Sequence, residues 1–142
     1  MTSVSAYAEE FARSVDDPDA FWLDAAQGVD WITPPTRALD DSNPPIYRWF
    51  PGGTLNTSAN ALDRHVAAGR GDQAALIYDS AMLGTQRTYT YRELLDEVAT
   101  FAGALAAQGV TKGDRVVIYL PMIPEALIAM LACARLGAVH SV

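Results

Sequence analysis

Apolar positions recur along this chain at two different periods, and each change of period marks a new element. Val4, Ala8, Phe11 and Val15 follow helical spacing and predict a short amphipathic helix. Asp17 reads as an N-cap with Pro18 in the first helical position, so a second short helix runs through Phe21, Trp22 and Ala25 until Gly28 ends it. No period survives from Trp31 to Pro51, a stretch holding Pro34-Pro35, Pro44-Pro45, Trp31 and Trp49. The prolines forbid regular helix and the aromatics would be wasted in a solvated linker, so this is an extended arm that packs on a larger body. Gly52-Gly53 makes a turn, and Leu55, Ala59, Leu62 and Val66 predict a helix closing at Gly69. Ala74 to Tyr78 reads as a strand, Asp79 to Arg87 as a loop and Thr88 to Thr90 as an antiparallel return.

The next helix has the clearest start signal. Thr90 and Glu93 form a capping box, Arg92 and Asp96 are spaced to pair, and Leu94, Val98, Phe101 and Leu105 mark one face before Gly109. Val116 to Leu120 is then an unbroken apolar run suited to a strand covered on both faces, stopped by Pro121. Pro124 opens a further helix that ends at Gly137, and from Ala126 to Ala134 its only polar side chain is the thiol of Cys133. Such a helix is buried, and it falls far short of the ~20 residues that span a bilayer. Ala138 to Val142 begins another strand. The order strand, helix, strand, helix, strand predicts an α/β fold with right-handed crossovers and a parallel sheet. A last strand with nothing after it leaves an open sheet edge, so the chain reads as cut.

Half of the 142 residues are hydrophobic, which excludes disorder, and the net charge of -7 argues against nucleic acid and anionic membrane as partners. One cysteine leaves no intrachain disulfide and suits a reducing, cytoplasmic setting. Met1 to Glu10 has neither the basic start nor the apolar run of a secretory signal.

The candidate chemistry is sparse. Gly52-Gly53 lacks the spacing of a phosphate loop and reads as a structural turn. Lys112, the sole lysine, sits in a glycine-bracketed turn and reads as solvated. Asp63, Arg64 and His65 point about 100° apart on a helix, so an ion pair or cap suits them better than catalysis. His140 lies on a strand near a sheet edge where ligands often bind, although an interior, satisfied histidine is the simpler reading. Burial makes Cys133 inert, Arg135 being the one basic neighbour, and two histidines and one cysteine so widely spread make no metal site. Catalytic, cofactor-binding and metal residues are therefore all expected to be none in this chain.

The residues also carry a resemblance. DRVVIYLPMIPEALIAMLACARLGAVHSV, from Asp114, resembles the segment before the first glycine-rich CoA-side loop of short-chain acyl-CoA synthetases, the acetyl- and propionyl-CoA synthetases of the adenylate-forming superfamily. YRWFPGGTLNTSANALDRHV, GRGDQAALIYDS and TYTYRELLDEVATFAGAL fall upstream in the expected order, so the likeness covers about Tyr7 to Val142. The wording NALDRHVAAGRGDQAALIYDS is closer to the propionyl type. The resemblance implies residues 1–56 as the N-terminal extension, helices plus arm, and 57–142 as the start of the AMP-binding large domain, its first βαβαβ units, incomplete. It implies, for the complete enzyme, adenylation of propionate or acetate by ATP with Mg²⁺, then attack by the CoA thiol with release of AMP. The phosphate loop, ribose-binding acid, acyl pocket, CoA-contacting arginines and catalytic lysine of that family would all lie downstream, so nothing catalytic carries over.

Three functions stay open: the N-terminal fragment of an acid-thiol ligase, inactive alone; a non-catalytic interaction module that complements a separately encoded remainder; and a small enzyme of unrecognised chemistry. The expected partner is the remainder of the large domain or a second copy, through the strand 139–142 and the apolar helix 126–134.

Overall fold

The computed structural model describes residues 5–142, so Val4 of the first apolar pattern lies outside the described residues. Two compact units divide the chain, one reaching Leu55 and the other Asn56–Val142.

In the first unit, α1 (Ala6–Asp16) starts where the Ser5 hydroxyl accepts from the Ala8 amide, and α2 (Pro18–Ala26) where the Asp17 carboxylate accepts from the Ala20 amide at 3.1 Å. Arg13 ties the two together, donating to Glu10 at 2.9 Å and to Asp24 at 3.2 Å. The amphipathic pattern makes α1 a helix without giving it cover, since no residue of α1 is buried and Tyr7, Phe11 and Val15 are exposed. The Pro/Trp stretch folds back on its own unit. Its ladder β1 (Leu39–Asp40) and β2 (Arg48–Trp49) is antiparallel, the Asp19 carboxylate accepts from the Ala38 and Leu39 amides, and the Trp31 indole donates to the Ala26 carbonyl at 2.8 Å. Trp22 meets Trp49 edge-on at 6.0 Å and Trp31 lies 5.7 Å from Phe50. Even so, Ile32, Ile46, Tyr47 and Trp49 remain exposed.

In the second unit, residues 57–68 are helical but wound wide, with π segments at Ala59–Asp63 and Val66–Arg70, the second broken at Gly69, whose φ is 78°. β3 (Ala74–Ser80) and β4 (Thr85–Thr90) form an antiparallel hairpin with a bulge between Ala74 and Leu76. The return strand begins earlier than the apolar pattern predicts, because Thr85, Gln86 and Arg87 pair with Ser80, Asp79 and Tyr78 through backbone groups and need no apolar face. α3 (Tyr91–Ala107) has both halves of its capping box: Thr90 Oγ1 accepts from the Glu93 amide, and the Glu93 carboxylate accepts from the Thr90 amide at 2.8 Å. Its core line is Leu94, Val98 and Ala102, which bury against Leu62, Tyr89, Ile128 and Ala132, while Phe101 is exposed. Arg92 turns towards Asp72, at 3.8 Å, and not to the Asp96 expected from spacing.

β5 (Arg115–Val117), α4 (Pro124–Leu136) and β6 (Val139–Ser141) make one parallel βαβ unit. Gly137, in the left-handed region at φ 75°, closes α4 while the Ala138 amide donates to the Cys133 carbonyl. The expected strand to Leu120 stops at Val117, since its neighbour contributes only Val139–Ser141, with one further bond from the Ile118 amide to the Ser141 carbonyl. The single parallel sheet is likewise corrected: the hairpin and the βαβ pair are separate two-stranded sheets, and among the described residues only β5–β6 is parallel. The mixed helix-and-strand architecture with small open sheets is that of an incomplete α/β domain. No helix among the described residues is long and apolar enough to cross a membrane.

Candidate functional site

The polar side chains singled out by sequence are dispersed. Gly52 has φ 77°, the Gly53 amide donates to the Phe50 carbonyl, and a Cβ at Gly53 would come within 2.8 Å of the Trp31 ring, so this pair is a packed turn. Lys112 is exposed in its turn, beside Asp114, whose carboxylate accepts first from the Thr111 amide at 2.7 Å and then from its hydroxyl. Those bonds hold the Asp114 carboxyl below the usual carboxylate range.

Asp63 and His65 part company. The Asp63 carboxylate accepts both ends of the Arg135 guanidinium, at 2.8 and 3.0 Å, and this pairing raises Arg135 above its ordinary value. The Asn56 amide donates to the Arg135 carbonyl at 3.0 Å while its oxygen accepts from the Ala59 amide, so one end of α4 is pinned to the start of the π-wound helix. His65 lies 4.9 Å from the Tyr91 ring at a tilt of 51°, and Arg70 approaches its Nδ1 at 3.2 Å. Arginine can only donate, so Nδ1 is the acceptor. Cys133 is fully buried and burial pushes its thiol up, which keeps it a poor nucleophile. His140 is exposed on β6, against the expectation of an interior histidine, because its strand has a neighbour on one side only.

Sequence reading missed two features. Asp63 and Arg135 are 72 positions apart, and nothing local marks them as partners. The other is a pair of apolar clefts bordered by the start of α4. One, of about 420 Å³, runs between Leu76–Asp79 and Met122–Met130; the other, of about 460 Å³, lies by Phe101, Leu120 and Ile128 with Arg87 stacked 3.9 Å over Tyr89 at its rim. Val117, Tyr119, Leu120 and Met122, in the apolar run after Arg115, are exposed beside these clefts. Among the described residues no group of three or more His, Cys, Asp or Glu could hold a metal ion.

A βαβ unit, a hairpin and a capped helix around one small core, with open strand edges, define part of an α/β fold. Comparison with known proteins gives the scaffold its family. Residues 7–61 match the family described as acetyl-coenzyme A synthetase N-terminus, and residues 63–142 match AMP-binding enzyme. The chain is 50% identical over 139 residues to the human (Homo sapiens) acyl-CoA synthetase short-chain family member 3, mitochondrial, covering 98% of this chain and 20% of that protein. It is 52% identical over 135 residues to the acetyl-coenzyme A synthetase of Streptomyces avermitilis, covering 95% and 21%. The solved acetoacetyl-CoA synthetase from Streptomyces lividans superposes with a TM-score of 0.84 at 38% identity, over 99% of this chain and 22% of that one. This chain belongs to the AMP-binding enzyme family, and it spans about a fifth of the length of the relatives it matches.

Proposed function

We propose that this chain is the N-terminal scaffold of an acid-thiol ligase that joins a short-chain carboxylate, propionate or acetate, to CoA. In the longer enzyme the carboxylate oxygen attacks the α-phosphorus of ATP and pyrophosphate leaves. The CoA thiol then attacks the acyl carbon of the adenylate, losing its proton as AMP departs. The observation that carries this reading is that the two family matches follow one another along residues 7–142 and leave out only Leu62 between them. Mg²⁺ would accompany ATP, but the described residues offer it no cage, so no step through the metal is assigned to this chain. The wording from Asn60 to Ser80 favours propionate, and the lone buried thiol suits the cytoplasm.

The chain's own contribution is structural: Asp63–Arg135 and the Thr90–Glu93 box fix the helices against which the catalytic remainder would pack. Alone, the purified chain should release no pyrophosphate in the presence of ATP, Mg²⁺ and propionate or acetate, because positioning and charge neutralisation of the phosphates need groups it does not gather. Acid-dependent pyrophosphate release by the pure chain overturns the scaffold reading. A second reading, an interaction module serving a separately encoded remainder, is favoured by the apolar surface at Ile77, Tyr119 and Met122.

A further inference from the structure

The amides of Tyr91, Arg92 and Glu93 open α3 and have no carbonyl of that helix to donate to. Thr90 Oγ1 serves the Glu93 amide, whereas the Tyr91 amide donates to the Gln73 carbonyl and the Arg92 amide to the Gly71 carbonyl, both at 3.0 Å. Two of the three partners therefore come from the turn 70–73, and Arg70 holds that turn. Its carbonyl accepts from the Gln73 amide at 3.1 Å and its Nε donates to Gln73 Oε1 at 2.8 Å. Its guanidinium lies 5.6 Å from the centre of the Tyr91 ring, and Nη1 donates to His65 Nδ1 at 3.2 Å. His65, half-buried, lies against the same ring. One imidazole thus receives the residue on which the cap of α3 hangs.

We infer that His65 is a proton-sensitive latch on this cap: neutral, its Nδ1 accepts from Arg70 and the turn 70–73 stays on α3; protonated, it lets the turn go. An imidazole nitrogen that gains a proton has no lone pair left to accept with, and the ring then carries the same charge as the guanidinium 3.2 Å away. The groups around the ring do little to offset that charge. On its own helix, Asp63 is committed to Arg135 by two bonds, and Arg64, which donates to Asn60, is a further cation. The turn brings Asp72, its side chain 97% exposed and 3.8 Å from Arg92, and α3 brings Arg92 itself and Tyr91. Histidine is the side chain that ordinarily changes charge between about pH 5 and 8. The Glu93 and Asp114 carboxyls, held below their ordinary values by their bonds to Thr90 and Thr111, respond only in more acid solution. Nothing in the latch depends on the ligase reading.

The test follows amide hydrogen exchange by NMR in the purified chain at about pH 7.5 and about pH 5, each rate compared with the intrinsic rate of that amide at the same pH. Protection of the Tyr91 and Arg92 amides should fall at least about threefold at the lower pH, in step with proton uptake seen in the His65 ring signals, while Glu93, capped by Thr90, keeps its protection. His65→Gln offers a carbonyl oxygen that accepts and does not titrate, so its protection should be the same at both pH values. Arg70→Gln should leave protection low at both. His140→Gln, on exposed β6, should behave as the unaltered chain and so assign the effect to His65. Equal protection of the Tyr91 and Arg92 amides at the two pH values in the unaltered chain overturns the inference. So does a fall that persists in His65→Gln, or one that reaches Glu93 to the same extent, since acid would then loosen α3 through another group.

Discussion

At Thr90 and Glu93 one short motif supplies two backbone amides with partners at the start of α3. Thr90→Ala should cost about 1 kcal/mol in a urea titration of the chain. The Thr90 amide, first, and hydroxyl hold the Glu93 carboxyl below its ordinary value. A depressed carboxylate contributes stability that is full above its unfolded pKa and is lost as pH falls through the folded one. Stability should therefore drop as pH falls below about 4, and Glu93→Gln should flatten part of that drop. Asp114 adds to the same acid window through Thr111. The box was legible because both its residues lie within one turn. Asp63–Arg135 was not, because a contact between distant positions leaves no periodicity to read. About a third of each side chain is exposed, so a double-mutant cycle of Asp63→Asn and Arg135→Gln should give a coupling of no more than about 1 kcal/mol.

Helices were read more faithfully than strands. α2, α3 and α4 begin and end at the caps and glycines that mark them, because capping is a local bond. Gly137 shows how local: at φ 75° any Cβ is strained, and here it would also come within 3.0 Å of the Lys112 side chain. Gly137→Ala should cost about 1–2 kcal/mol, seen as a lower thermal midpoint with an unchanged far-ultraviolet spectrum below it. The apolar stretch in α4 was read as buried. In the structure no large apolar side chain of α4 is exposed, since α3 and β6 pack against it with the core around Leu62 and Tyr89. Strand pairing is decided by neighbours, and the run Val116 to Leu120 could declare its taste for a sheet without declaring which strands would be present to meet it.

In the whole molecule the segment after β5 carries open apolar surface of its own, besides the clefts along α4 and the exposed Val139 and Val142. Tyr119 and Met122 are 99% and 93% exposed, whereas Val139–Ser141 is paired with β5 and Ala138 is buried. Deleting residues 138–142 would thus remove the strand that pairs with β5 among the described residues, along with the bond from the Val139 amide to the Asp114 carbonyl. The deletion should lower the unfolding midpoint and increase self-association, the opposite of what an unpaired terminal strand would give. Replacing Tyr119 and Met122 by lysine removes exposed apolar area without touching the paired residues, and should shift the chain towards monomer at equal concentration. Salt separates charge from apolar contact: the net charge of -7 repels like copies, so raising ionic strength should promote association of the unaltered chain and do less to the lysine variant. Light scattering at two salt concentrations reads all of these masses. A monomer for every form, indifferent to salt and to both changes, would show that the exposed run after β5 drives nothing in this chain.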